Sequence, residues 1–234
     1  VTFVIAMAIF GRLQDTKGPR ITATIASILL GVGIILSGVF LNPVMLAISF
    51  GVIAGAGIGI ANVSTVPPAV KWFPPEKKGM VTGVSVAGIG ISAVVYSPLA
   101  NGLLNAVGIE KTFIYMGIGA LVLMLILSQF LVNPPAGYVP VSSGTPKKQA
   151  KKTVSTPVRD MGLKDIIKTS SFYRYWIMFM ISSTAGLMII AHAANIAKVQ
   201  ISWEGGFYLV ILLSVFNATG RISGGAISDK IGRV

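Results

Sequence analysis

The sequence predicts an all-α protein that crosses a membrane several times. Of its 234 residues, 53% are hydrophobic and 11% are charged, and the mean hydropathy is +0.80. These values are unlike those of soluble domains. The apolar residues also form long uncharged blocks, such as 21–41 and 112–132. At about 1.5 Å per helical residue, each block is long enough to cross a hydrocarbon core about 30 Å thick.

Seven helical segments are predicted, and a polar linker at 133–171 separates the first five from the last two. The linker is rich in Pro, Ser and Lys and too poor in apolar residues to form a core. We expect 1–132 to be part of an N-terminal half and 172–234 to be the start of a C-terminal half. We also expect the first segment to be the end of a helix. The predicted helices lie near 1–10, 21–41, 43–70, 80–104, 112–132, 172–197 and 206–224.

A polar motif occurs twice, once after the first helix and once after the last. Its pattern is Gly-x-x-x-Asp-x-x-Gly followed by a basic residue, and the two copies are 214 residues apart. A loop motif that recurs after several apolar segments indicates a duplicated membrane protein. Six crossings between the copies then predict two halves of six helices each. The members are Gly11, Asp15, Gly18 and Arg20 in the first copy and Gly225, Asp229, Gly232 and Arg233 in the second.

The basic residues predict the orientation. They are concentrated in alternate loops, whereas the intervening loops hold only Lys111 and Lys198. By the positive-inside rule the basic loops are cytoplasmic, so we expect an integral protein of the plasma (inner) membrane with lipid around it. The net charge of +12 is then a feature of topology, and no nucleic-acid partner is expected. The basic loops are 11–20, 71–79, 133–171 and 225–234.

The residues that would carry enzymatic chemistry are scarce. The sequence has no cysteine, and all seven acidic residues fall in predicted loops. No acid, base, nucleophile or metal-ligand cluster is recognisable, so we expect neither an enzyme nor a metal or other cofactor.

Small residues recur at four-residue intervals on two of the predicted helices. Such a face lets two helix backbones approach closely where lipid gives no hydrophobic drive for association. We therefore expect these faces to be packing surfaces. They comprise Gly51, Gly55 and Gly59, with Gly57 between, on the third segment, and Gly79, Gly83 and Ala87, followed by Gly88 and Gly90, on the fourth.

Arg221 lies eight residues, or about 12 Å along a helix, before Asp229. It could extend its side chain to the cytoplasmic surface, or it could face the helix bundle, where an anionic ligand would neutralise it. Its depth alone favours neither alternative. Asn217, Tyr96 and His192 are further polar residues inside spans; such residues usually bond to neighbouring helices, and some line a pathway.

The duplicated loop motif resembles that of the major facilitator superfamily, whose members have twelve helices in two halves. The resemblance implies a partial fold here, from the end of helix 2 to helix 8. Three other stretches resemble the oxalate/formate antiporter family. They are Lys71-Trp-Phe-Pro-Pro-Glu-Lys-Lys-Gly79, Asn133-Pro-Pro-Ala-Gly-Tyr138 and the segment from Ala185 to Gln200.

This resemblance implies a secondary active transporter of small carboxylate anions that works by alternating access. Arg221 matches the arginine that binds the substrate carboxylate in that family. Related proton-coupled monocarboxylate transporters carry an aspartate one turn earlier; Asn217 stands there, which favours anion exchange. The aspartates of the two loops would act as latches between the halves, and the complete protein is expected to be a monomer. The alternatives are a non-transporting membrane sensor and a carrier of an unrelated substrate.

Overall fold

The computed structural model of this chain describes residues 1–135, 137, 138, 140, 168–202 and 206–231. Within these residues the ordered structure is helical and contains no strand, which confirms the predicted all-α class. The helices are α1 (Thr2–Lys17), α2 (Pro19–Val39), α3 (Pro43–Leu46), α4 (Gly55–Lys71), α5 (Lys78–Ser128), α6 (Ser170–Ile201) and α7 (Gly206–Ile231). A π-helical stretch (Ala47–Ala54) joins α3 to α4, and a 3₁₀ turn (Pro75–Lys77) precedes α5.

Four helical stretches in the described residues are long and apolar enough to cross a membrane. The predicted span at 172–197, which falls in α6, is not among them and stays a prediction. The four stretches overlap the predicted segments 21–41, 43–70, 80–104, 112–132 and 206–224. They are Pro19–Val39, Pro43–Lys71, Pro75–Ser128 and Tyr208–Ile231.

The predicted position of the connection between the spans at 80–104 and 112–132 is wrong. Glu110 and Lys111 were expected in a short loop, but both are helical, and the chain instead turns at Gly108, where φ is 81° and ψ is 174°. A positive φ of this size is accessible to glycine at little cost, so one residue can break the helix. Gly108 divides α5 into two helical parts, 78–107 and 109–128.

The loops predicted at 11–20 and 225–234 are largely helical. α1 continues to Lys17 and ends at Gly18, whose φ is 84°; Pro19 then starts α2 with the φ that a first helical turn requires. α7 continues to Ile231. Polar residues do not end a helix, because the backbone hydrogen bonds that stabilise a helix are made within the helix itself. Gly232 and Arg233 lie outside the described residues, as does most of the linker at 133–171.

Close backbone contacts join α4 and the preceding π-helical stretch to α1 and α2, which agrees with the predicted role of the small residues. A Cβ placed on Gly33 would lie 2.5 Å from the nitrogen of Ala54, and one on Gly57 would lie 2.6 Å from that of Leu30. Gly59 similarly meets the carbonyl of Phe3 in α1. Gly51, in contrast, has no such neighbour within 4 Å, so that part of the predicted face is open.

The chain forms two compact units: residues 1–141 together with 214–234, and residues 142–213. The end of α7 therefore belongs to the same unit as α1–α5, whereas α6 belongs to the other. The division into two six-helix halves stays a prediction.

Candidate functional site

The second copy of the duplicated motif forms a cap on the start of α5. The backbone amide of Gly79 donates to Asp229 Oδ1 at 2.9 Å, and that of Met80 donates to Oδ2 at 2.7 Å. First-turn amides have no acceptor within their own helix, and the helix dipole favours a negative charge there. One carboxylate on α7 thereby satisfies two donors of a helix that lies about 150 residues away in sequence.

Glycines bring the two helices close enough for this cap. A Cβ on Gly79 would lie 2.5 Å from Asp229 Oδ1 and 2.7 Å from the carbonyl of Gly225. A Cβ on Gly225 would likewise collide with the carbonyl oxygen of Gly79. Any larger residue at these two positions would separate α5 from α7.

The first copy of the motif has a different environment. Asp15 is 69% exposed in its side chain and forms an ion pair with Lys71, with 3.5 Å between Oδ1 and Nζ. Arg20 donates from Nε to the carbonyl of Leu131 at 3.1 Å. Gly18 supplies the positive-φ turn between α1 and α2. These residues join the ends of α1, α2, α4 and α5 at one end of the unit.

Arg221 lies about two turns before Asp229 and is exposed to a cleft between α5 and α7. The cleft has a volume of about 350 Å³. Within the described part of the chain, no carboxylate forms an ion pair with Arg221. The other lining residues are Gly79, Thr82, Gly83, Val86, Gly225 and Ser228.

The backbone at Arg221 is fixed by the helix crossing. A Cβ on Gly83 would collide with the carbonyl oxygen of Arg221, so the two backbones are in contact here. Further along, a Cβ on Gly90 would lie 3.1 Å from the Cβ of Ala218. The predicted small-residue face of α5 is thus its contact with α7, although Gly88 faces open space.

Asn217 is the predicted polar residue that the structure brings to Arg221. Its Oδ1 accepts a hydrogen bond from Arg221 Nε at 2.8 Å. The two residues are four apart on α7, a spacing that places them on the same helical face. Asn217 does not itself line the cleft.

Tyr96 and His192 are not brought to the cleft in the described structure. Tyr96 lies on α5 and is 40% exposed, and it does not line the cleft of Arg221. His192 belongs to the other compact unit, where it lines a separate hollow of about 410 Å³ formed by α6 residues between Met188 and Gln200. Their predicted roles in ligand binding stay predictions.

Sequence reasoning missed Thr82 and Ser228, whose hydroxyl-bearing side chains line the cleft. A signal for both was available. Thr82 lies between Gly79 and Gly83 at a spacing that places all three on one helical face, and Ser228 directly precedes Asp229. Without the partner of that face, neither residue could be connected with Arg221. The described residues contain no group of three or more His, Asp or Glu side chains arranged to hold a metal.

The fold and the cleft are those of a helical membrane protein that carries an arginine at a helix crossing. Comparison with known families specifies the class: the Major Facilitator Superfamily profile matches residues 1–234. The chain belongs to this superfamily, a family of membrane transporters rather than enzymes.

Several curated relatives match at low identity. The chain is 28% identical over 232 residues to the uncharacterized MFS-type transporter YhjX of Escherichia coli (strain K12), covering 98% of this chain and 55% of the relative. It is 26% identical over 225 residues to the oxalate:formate antiporter of Oxalobacter formigenes, covering 95% and 50%. Monocarboxylate transporter 13 of Bos taurus is 23% identical over 224 residues, with 94% and 49% covered. The chain thus spans about half the length of these relatives.

Proposed function

We propose that this chain is part of a secondary active transporter of small organic anions, of the oxalate/formate or monocarboxylate type. The observation that carries the proposal is the position of Arg221. Its guanidinium is exposed to a cleft between two helices, and its described hydrogen-bond partner, Asn217, is neutral. The planar guanidinium suits a carboxylate, because it can donate two parallel hydrogen bonds. The printed names of two relatives, an oxalate:formate antiporter and a monocarboxylate transporter, support the same class of ligand.

The charge at this position has an energetic consequence. An arginine inside the hydrocarbon region costs up to about 2.5–3.5 kcal/mol on insertion scales. A bound carboxylate offsets part of that cost, and the attraction is stronger in a protein cleft than in bulk water. We therefore expect the site to favour anions over cations.

Alternating access requires contacts that form in one state and break in another. The cap of Asp229 on α5 is such a contact, and it shares Gly79 and Gly225 with the walls of the cleft. Loss of a helix cap costs about 0.5–2 kcal/mol, which is small enough to be recovered in each cycle. In this mechanism the separation of α5 from α7 breaks the cap and opens the cleft at this end.

The test is counterflow in liposomes that contain the full-length protein. Arg221→Gln removes the charge and the fork of donors, and it should lower exchange of oxalate or formate at least about 30-fold, because loss of one partner of a charge pair costs about 2–5 kcal/mol. Arg174→Gln is the matched control. Arg174 is an exposed arginine at the start of α6 whose guanidinium donates to Ser171 at 3.3 Å, and its replacement should leave exchange unchanged.

Two other results would redirect the proposal. Carboxylate binding that depends on Arg221 but occurs without counterflow would favour a membrane sensor on the same fold. Exchange of oxalate, formate and monocarboxylates that is insensitive to Arg221→Gln would show that the site is assigned wrongly, and absence of both binding and exchange would indicate a carrier of an unrelated substrate.

A further inference from the structure

The hydrogen bond between Asn217 and Arg221 uses one particular donor of the guanidinium. An arginine side chain has five N–H donors, one on Nε and four on the two terminal nitrogens. Asn217 Oδ1 accepts from Nε at 2.8 Å. A carboxylate can pair with a guanidinium either side-on, through Nε and one terminal nitrogen, or end-on, through both terminal nitrogens. Because Nε is engaged, the end-on edge is the one available for two parallel bonds.

In the described conformation the acceptor lies on a part of α7 that packs closely against α5. Asn217 is half-buried, and the next residue, Ala218, is 3% exposed and packs against Gly90 of α5. One turn later, the carbonyl of Arg221 is in contact with Gly83. Both residues of the pair therefore lie on backbone that packs in the same helix crossing, and the bond between their side chains restrains the guanidinium relative to it.

The neutrality of Asn217 matters as much as its geometry. A carboxylate at this position would accept the same hydrogen bond but would also cancel the charge of Arg221. An amide oxygen restrains the guanidinium and leaves its charge for the ligand. The described structure thus holds the arginine in place without neutralising it.

From these contacts we infer that Asn217 is a positioning residue for the carboxylate site: it orients Arg221 so that the end-on edge of the guanidinium receives the anion. This inference rests on the proposed function, and it assigns Asn217 a role different from that of a substrate ligand. Asn217 acts through Arg221 and does not itself contact the carboxylate.

The test uses the full-length protein in liposomes with oxalate and formate as probes. Asn217→Ala should raise KM at least about 10-fold with little change in the maximal rate, as expected for loss of a hydrogen bond to a charged group in the binding step. Thr219→Ala is the matched control. Thr219 is an exposed residue of α7 whose hydroxyl donates to the backbone of Val215 at 2.8 Å, and its replacement should leave KM unchanged.

A second variant separates the geometry of the acceptor from its neutrality. The aspartate side chain of Asn217→Asp has almost the same shape as that of asparagine and keeps the oxygen that accepts from Nε. This variant should therefore fold even if Asn217→Ala fails to fold. Its added charge should nevertheless raise KM at neutral pH by at least the same factor. An unchanged KM in Asn217→Asp would contradict the requirement for a neutral partner.

A double-mutant cycle decides whether Asn217 acts through Arg221. Arg221→Lys keeps the positive charge but removes Nε and the planar fork, so Asn217→Ala should change the exchange rate less than about twofold in that background. The rate is compared at low anion concentration, where it reports the ratio of maximal rate to KM. An equal loss in both backgrounds would mean that Asn217 contacts the anion or supports the fold, and an unchanged KM in Asn217→Ala would overturn the inference. In either case a large effect of Arg221→Gln would leave the proposed function standing, whereas no effect of Arg221→Gln would contradict the proposed function itself.

Discussion

Asp15 and Asp229 occupy equivalent places in two copies of one motif, but their environments differ. Asp229 accepts hydrogen bonds from two backbone amides of α5, whereas Asp15 lies largely in solvent and pairs with Lys71. The glycines that precede them differ in the same way. Gly225 is in backbone contact with Gly79, but a Cβ on Gly11 would lie 3.9 Å from its nearest neighbour, a methyl group of Val63. The two copies share a sequence pattern at a helix end, but only the second is part of a tight helix crossing.

The residues one helical turn or more before each aspartate extend this contrast. Arg221 in the second copy corresponds to Met7 in the first, and Asn217 corresponds to Phe3. The carbonyl of Phe3 is in contact with Gly59, and that of Arg221 with Gly83, so both helices meet a glycine, but the contact in the first copy lies one helical turn farther from its aspartate. The two copies therefore differ both in the residues at these positions and in the place where a glycine meets the helix.

The largest effect expected from breaking this crossing is that of Gly83→Val. A side chain at position 83 would collide with the carbonyl of Arg221, and overpacking of a tight contact typically costs about 1–3 kcal/mol. We expect a lower thermal midpoint of unfolding in detergent and loss of anion exchange. Gly88→Val is the matched control on the same helix, because nothing lies within 4 Å of a Cβ at position 88. Equal effects of the two substitutions would show that α5 and α7 are not in contact at Gly83.

The comparison of the two aspartates predicts a smaller difference. Asp229→Ala removes a cap that serves two amides and should cost about 0.5–2 kcal/mol of stability in the capped state. Asp15→Ala removes an exposed ion pair, and exposed pairs contribute little to stability. Thermal unfolding of the two variants in parallel measures the difference. A larger loss in Asp15→Ala would mean that the first copy, rather than the second, carries the structural contact.

The smallest effect is expected where the segment that follows α5 meets the end of α4. Trp72 donates from Nε1 to the carbonyl of Val132 at 3.0 Å, and its ring lies 5.3 Å from that of Tyr138. Trp72→Phe keeps an aromatic ring but removes the donor, so it should cost about 1 kcal/mol. Trp176→Phe, at a side chain that is half exposed on α6, is the control. Identical unfolding midpoints for both variants would show that the bond to Val132 contributes nothing measurable.

The sequence was sufficient to predict the helical class, the apolar character of four membrane-span candidates and the use of Gly59, Gly79 and Gly83 as close contacts. These features depend on composition and on spacing within one helix, which are local properties. The bond between Asn217 and Arg221 also follows a local spacing of four residues. Such features need no knowledge of which helix lies beside which.

The features that could not be predicted depend on partners far away in sequence. Nothing near Asp229 indicates that its hydrogen-bond donors are the amides of Gly79 and Met80. The π-helical stretch Ala47–Ala54 is apolar except for Ser49, so its hydrophobic pattern cannot distinguish it from an α-helix. Helix ends were misplaced for a related reason: polar residues mark where the lipid ends, whereas the helix continues through Lys17 and Ile231.

Hydrogen exchange at the two amides capped by Asp229 can report how often the end of α7 leaves α5. The amides of Gly79 and Met80 belong to the first turn of α5, where helical acceptors are lacking, so their protection from hydrogen exchange reports the presence of the carboxylate. Exchange at these two amides then measures the fraction of time that the end of α7 spends apart from α5. A ligand that favours one state of the carrier would change this rate without any label being attached to the membrane helices.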